Sequence, residues 1–164
     1  MFRWGDYHLN RNLKICLVSS AGGHLAQIRQ LIPILEKYDY FIVTEKNKST
    51  NSLSNKFKVY YLLQQERKNI RFLFVFALNI LLSIFYLLKQ RPDVIISTGA
   101  GATVPLCLFG KIFGKKIIFI ESFAKIKTPT LTGKLIYKIA DKFYVQWKEM
   151  LKHYPKAEYR GKIY

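Results

Sequence analysis

Acid is what this chain lacks most: 10 Asp and Glu stand against 27 Lys and Arg in 164 residues, a formal charge of +17. So large a surplus of one sign repels itself in a compact fold and calls for an anionic partner, nucleic acid and anionic lipid being the two candidates. No helix-turn-helix pattern, no basic region joined to heptads and no RNA-binding aromatic signature organises the lysines, so no nucleic-acid partner is expected. Cysteine is equally sparse. Cys16, inside an apolar run, and Cys107, among apolar neighbours, offer neither a disulfide framework nor metal-ligand spacing. Both are expected in the core of a protein kept in reducing surroundings, and neither a metal site nor a cofactor is expected. The N-terminal MFRWGDYHLNRN has no apolar run ahead of a small-residue cleavage site. No signal peptide is therefore expected, and Asn47-Lys48-Ser49 carries no glycosylation meaning. Repeats, low-complexity segments and linkers are absent too, so residues 1–164 read as one domain, and with 50% hydrophobic residues a full core is within reach.

The most informative stretch is KICLVSSAGGHLAQIRQL, from Lys14 to Leu31. Ile15, Cys16, Leu17 and Val18 read as a buried strand, Gly22, Gly23 and His24 as a small-residue turn, and Leu25, Ile28, Leu31 and Ile32 as one face of a helix. Such a turn lets backbone amides approach a ligand with no Cβ in the way, and the helix dipole favours negative charge there. Phosphate is the natural guest; a plain tight strand-to-helix connection is the alternative. Further apolar runs at Tyr40–Thr44, Phe57–Leu63, Asp93–Ser97, Lys116–Ile120 and Lys142–Val145 alternate with helical stretches, and Glu45–Lys56 is a polar surface loop. That alternation predicts a Rossmann-like α/β domain, a parallel sheet with helices on both faces.

A second glycine turn, Ser97-Thr98-Gly99-Ala100-Gly101-Ala102-Thr103, again follows a buried strand and precedes a helix, from about Val104 to Phe113 with Pro105 in its first turn. Two such turns on the carboxyl ends of parallel strands point into one crevice, where open α/β sheets bind ligands, and the recurrence favours phosphate. Ser20, Gly22, Gly23, Thr98, Gly99, Gly101 and Ser122 are the expected phosphate-binding residues. Glu121, ending the strand at Lys116–Ile120, is either a general base or a structural acid paired with Lys125 or Lys127. His24 either orients or protonates a phosphate-bearing substrate, or caps and packs its helix.

From Phe72 to Leu88 no residue is charged, and Arg67, Lys68 and Arg71 precede the run while Lys89 and Arg91 follow it. The run falls short of the roughly 20 residues of a spanning helix, and a single crossing here would separate strands that share one sheet. Two readings stay open: a wholly buried crossover helix, or a helix of about 69–90 lying in the membrane interface, with Phe72 and Phe76 toward lipid and the five cations on lipid phosphates. The overall charge favours the second.

The stretches KICLVSSAGGHLAQIRQL, DVIISTGAGATVPLCLFGKIFGKKIIFIES and TLTGKLIYKIADKFYVQW, with YPKAEYRGKIY at the end, resemble the acceptor-side subunits of two-part UDP-sugar glycosyltransferases. That group holds the membrane-recruiting subunit of the UDP-N-acetylglucosamine transferase of N-glycan assembly and bacterial capsule and exopolysaccharide counterparts. More distantly, the chain is similar to the N-terminal half of MurG-type GT-B enzymes, from which it departs at Ser19 and Ser20 in the first turn. The resemblance implies half an enzyme, inactive alone. Its two turns would take the diphosphate of a polyprenyl-linked saccharide, Glu121 or His24 would assist deprotonation, and a separate subunit docking near residues 155–164 would hold the UDP-sugar. It implies a peripheral or monotopic position on the cytoplasmic face of an anionic membrane. Two alternatives are a non-catalytic membrane scaffold that activates its partner, and a dinucleotide-binding oxidoreductase with Glu45 on the ribose. The absence of G-x-G-x-x-G from the first turn argues against the latter.

Overall fold

The structure, a computed structural model, describes residues 13–65 and 71–163. Arg67 and Lys68 lie outside the described residues. Seven strands form one sheet in the order β3-β2-β1-β4-β5-β6-β7, every neighbouring pair parallel. The strands are β1 Lys14–Ser19, β2 Asp39–Glu45, β3 Val59–Leu62, β4 Val94–Gly99, β5 Lys116–Ile120, β6 Lys142–Val145 and β7 Glu158–Tyr159. The helices are α1 Gly23–Arg29, α2 Ile32–Leu35, α3 Arg71–Gln90, α4 Val104–Ile112 and α5 Leu131–Tyr137. The Rossmann-like expectation holds.

Strands buried on both sides need apolar residues at successive positions, and β1 divides them by pleat. Cys16 and Val18 enter the core under α3, α4 and α5, while Ile15 and Leu17 enter the core under α1 and α2. Burial pushes the Cys107 thiol up to about 12 and raises Cys16 as well, so both thiols are inert core side chains, as expected.

Two local expectations need correction. The first helix is not continuous from Leu25 to Ile32: α1 stops at Arg29 and α2 restarts at Ile32. Pro33 has no amide hydrogen for the Arg29 carbonyl and disfavours helical geometry just before it, so the helix breaks there while Leu25, Ile28 and Ile32 stay buried. The apolar runs also do not exhaust the sheet, which continues past Val145. Glu158–Tyr159 adds a two-residue strand beside Tyr144 and Val145, too short to carry an apolar signature.

α3 has its polarity reversed. The residues it buries include Asn79, Ser83 and Gln90, whereas Leu73, Phe74, Leu81 and Leu88 are each more than half exposed. The Asn79 amide accepts from the Leu63 N–H at 2.8 Å and donates to the Leu63 carbonyl at 2.9 Å, and the Tyr86 hydroxyl donates to the Tyr61 carbonyl at 2.8 Å. Polar side chains thus seat the helix along β3. By length and composition α3 is long and apolar enough to cross a membrane, but it links β3 to β4 within one sheet. Nor is it a wholly buried crossover, which corrects the first of the two readings left open. Arg91, in the left-handed region at φ 47°, and Pro92 terminate the helix.

Candidate functional site

In the order β3-β2-β1-β4-β5-β6-β7 the chain reverses its direction of travel between β1 and β4. Crossovers leave those two strands toward opposite sides, and a crevice opens at their carboxyl ends. Both glycine turns lie there. The first uses Gly22 in the left-handed region at φ 77° to cap α1, and no atom comes within 4 Å of where a Cβ would stand on Gly22 or Gly23. Backbone there is open to close approach.

The second turn behaves differently. Thr98 and Gly99 are buried, and Gly99, at φ 98°, lies under the His24 ring, whose Cε1 is 3.3 Å from the position of an added Cβ. Of the expected binding residues in that turn, Gly101 is the one only half covered. The two turns are stitched together: the Ser20 amide donates to the Gly99 carbonyl at 3.1 Å, and the Thr98 hydroxyl to the His24 carbonyl at 2.9 Å. His24 Nδ1 lies 2.6 Å from the Thr98 carbonyl oxygen. A carbonyl only accepts, so Nδ1 carries a proton, and with one proton on the ring Nε2 is the acceptor. His24 therefore does pack, as one alternative held, and packs on the opposite turn.

Glu121 sits at the end of β5 with 1% of its surface exposed. Its partners are not Lys125 and Lys127, and the structure corrects that pairing. The Thr130 hydroxyl donates to Oε1 at 2.9 Å, the Tyr154 hydroxyl to Oε2 at 2.7 Å, and the Ser122 amide to Oε1 at 2.8 Å. Burial, and then the carboxylate beside it, push the Tyr154 phenol well above its ordinary range, so it remains a donor. The start of α5 reaches the carboxylate at Gly133, where a Cβ would stand 2.1 Å from Oε2. A general base needs a lone pair aimed at its substrate, whereas this carboxylate is turned into the fold. Its geometry is that of a positioning residue holding the 122–130 loop, and it engages the amide of Ser122, one of the expected phosphate-binding residues.

Residues without a sequence signal complete the crevice wall. The buried Gln146, after β6, donates to Gln27 of α1 at 3.0 Å and to the Glu121 carbonyl at 2.9 Å, and accepts from the Ile163 amide at 3.1 Å. One side chain thus joins the first turn's helix, the end of β5 and the segment after β7. Glu45, the ribose candidate, accepts from the Gln65 amide at 3.0 Å and serves the exit of β3 instead. Among the described residues no group of three or more His, Cys, Asp or Glu is placed to hold a metal ion.

A parallel sheet reversing between its first and fourth strands, with paired glycine turns at the reversal, defines a Rossmann-like α/β domain. It is similar to Acinetobacter baumannii MurG, with a TM-score of 0.70 at 14% identity over 84% of this chain and 42% of that one. It is also similar to the UDP-N-acetylglucosamine 2-epimerase of Rickettsia bellii, with a TM-score of 0.72 at 13% identity over 93% of this chain and 45% of that one. The chain spans less than half the length of either, and the likeness is one of fold. By sequence it belongs to the family described as "Oligosaccharide biosynthesis protein Alg14 like", matched over residues 15–163. Relatives named UDP-N-acetylglucosamine transferase subunit ALG14 include the mouse protein, 25% identical over 97% of this chain and 88% of its own length. The human one is 26% identical over 96% and 86%. A fission-yeast relative reaches 44% identity over 43% of this chain and 36% of its own.

Proposed function

We propose that this chain is the acceptor-binding, membrane-associating subunit of a heteromeric glycosyltransferase. The reaction transfers GlcNAc or another hexose from a UDP-sugar to a polyprenyl-diphosphate-linked saccharide, in glycan, capsule or exopolysaccharide assembly. The observation that carries this reading is adjacency: a glycine crevice suited to a diphosphate lies on the same domain as a helix with its apolar side outward. A lipid-linked anion is the ligand that uses both. The relatives' designation as a transferase subunit supports a separate donor-binding partner, docking around residues 155–164, of which Gln146 holds the Ile163 amide. The protein then works from the cytoplasmic face, with Arg71, Lys89 and Arg91, together with Arg67 and Lys68, on lipid phosphates.

In the transfer step the attacking acceptor hydroxyl loses a proton as the sugar–phosphate bond breaks. His24 Nε2 is the acceptor left by the Nδ1 contact, and backbone amides at the turns offset phosphate charge in place of water. Glu121 positions rather than reacts. That enclosure favours a second reading, a scaffold that recruits and activates its partner without chemistry of its own. Replacing His24 with Ala in the assembled complex separates the two, since a scaffold keeps kcat while a proton acceptor loses it by roughly 10²-fold or more.

The decisive experiment is reconstitution. The chain alone is expected neither to bind UDP-GlcNAc tightly nor to transfer sugar, and the neighbouring donor-binding glycosyltransferase to restore transfer. Gly23→Val or Gly101→Val in the complex should then abolish acceptor use with partner binding intact. Efficient turnover by the isolated chain sinks the proposal.

A further inference from the structure

Between the first turns of α3, α4 and α5 lies a cleft of about 300 Å3, walled by Phe72, Phe76, Val104, Leu131 and Leu135. Gly101, Gln65 and Thr132 also line it. Gly101 is shared with the second glycine turn, so a molecule with its charge at that turn reaches the cleft directly. α4 begins at Val104 with Pro105 in its first turn, and the positive end of this nine-residue helix faces the same place. Gln65 supplies an independent sign: its Nε2 is buried with no hydrogen-bond partner among the described residues. A buried donor of that kind awaits an acceptor.

The walls call for hydrocarbon. Phe72 and Phe76 stack at 6.0 Å between centroids, and Leu131 and Leu135 are 68% and 45% exposed. Polar backbone beside an apolar slot fits an amphiphile with its anion at one end. The volume is at the small limit of ligand cavities, roughly 300–1,000 Å3, which admits the start of a lipid chain and not its length.

We propose that this cleft receives the hydrocarbon next to the phosphate of a prenyl diphosphate. The diphosphate lies at Ala100–Gly101 and the start of α4, the Gln65 amide donates to it, and the first isoprene units lie among Phe76, Val104 and Leu135. The remainder of the chain runs out past Leu73 and Phe74 into the bilayer. The proposal rests on the acceptor reading above and adds that the protein grips the lipid itself as well as its head.

The test titrates the full chain, held on zwitterionic nanodiscs with empty discs subtracted, with inorganic pyrophosphate and with geranyl diphosphate. Geranyl diphosphate should bind at least tenfold tighter. Leu135→Trp and Leu131→Trp, which push bulk into the cleft from exposed positions that tolerate it, should bring that ratio near one and leave pyrophosphate affinity and melting temperature unchanged. Equal affinity of the wild-type chain for the two ligands, or a ratio unmoved in both filled variants, overturns the proposal. If pyrophosphate binds and the geranyl group adds nothing, the cleft falls alone; if neither ligand binds, the diphosphate reading of the turns falls with it.

Discussion

The two helical layers covering the sheet differ in how much apolar surface they leave outside. On one side α1 and α2 bury Leu25, Ile28, Ile32 and Leu35 and turn residues such as Arg29 and Gln30 to water, the ordinary amphipathic arrangement. On the other, α3 buries Asn79, Ser83 and Gln90, and Leu73, Phe74, Leu81, Phe85, Leu88, Leu108, Ile112, Phe113, Leu131 and Leu135 of α3, α4 and α5 and their ends stand exposed. Exposed single leucines are unremarkable, but ten large apolar side chains exposed on one layer suit the non-aqueous contact proposed above. The lesson is that hydrophobic content alone does not say which way a helix faces. The polar residues do, because burying an amide requires partners, and Leu63 supplies them for Asn79.

The largest effect is expected from attacking the unusual face directly. Phe74, Leu81 and Phe85, changed together to Gln, remove three side chains contributing about 1.5–3 kcal/mol each when buried, or roughly 5 kcal/mol in total. Cosedimentation with vesicles should fall by more than a thousandfold while the melting temperature holds. Ile34→Gln, a 65%-exposed residue of the other layer, should leave vesicle binding unchanged. Equal losses from both layers would erase the comparison.

Next in size are substitutions that unseat the layer from within. Glu121→Ala leaves the Tyr154 and Thr130 hydroxyls without an acceptor and should cost roughly 3 kcal/mol by denaturant titration. A purely catalytic Glu121 would instead lose turnover at constant stability. Asn79→Ala strands both backbone groups of Leu63 and should cost about 2 kcal/mol, although it makes α3 more apolar.

Smaller again is the cationic fringe. Arg71, Lys89 and Arg91 changed to Gln should each weaken binding to anionic vesicles by about 1 kcal/mol or less, an effect that fades in high salt and on neutral lipid. A wholly salt-independent loss would assign those side chains a packing role.

Of the same order is the effect of unpinning α4 from the sheet. Asp141 accepts from the Ile117 amide at 2.9 Å and pairs with Lys111 at 2.9 Å and Lys116 at 3.3 Å. Burial works to raise its carboxyl, but those three partners outweigh it and leave it below the ordinary carboxylate range. Asp141→Asn should cost about 1 kcal/mol. Since the folded value lies below the unfolded one, that difference is complete above about pH 5 and disappears as pH falls through the depressed folded value. A difference that grew toward low pH would contradict the assignment.

Legibility in the sequence followed the length scale of the signal. β5 and β6 coincide with the apolar runs Lys116–Ile120 and Lys142–Val145, because strands buried on both faces are continuous apolar segments. β7 was invisible at two residues, and the break at Pro33 was overridden by an apolar spacing that continues through it. In the crevice, Gly22 and Gly23 were legible as glycines in a strand-to-helix turn. The burial of Gly99 beneath His24 was not, since it depends on residues 75 positions apart meeting across β1 and β4.

What the sequence by itself determined is the alternation of apolar strands and helices, the two glycine turns and the charge-free run with its cations, all features written within a few neighbouring residues. Tertiary structure decided the rest. It set which side of α3 faces inward, which turn stays open, and that Glu121 spends its lone pairs on Thr130, Tyr154 and Ser122 rather than on lysines. The physical reason is that a buried polar group takes whichever partners the fold brings within hydrogen-bond reach, and here Tyr154 arrives from 33 residues away.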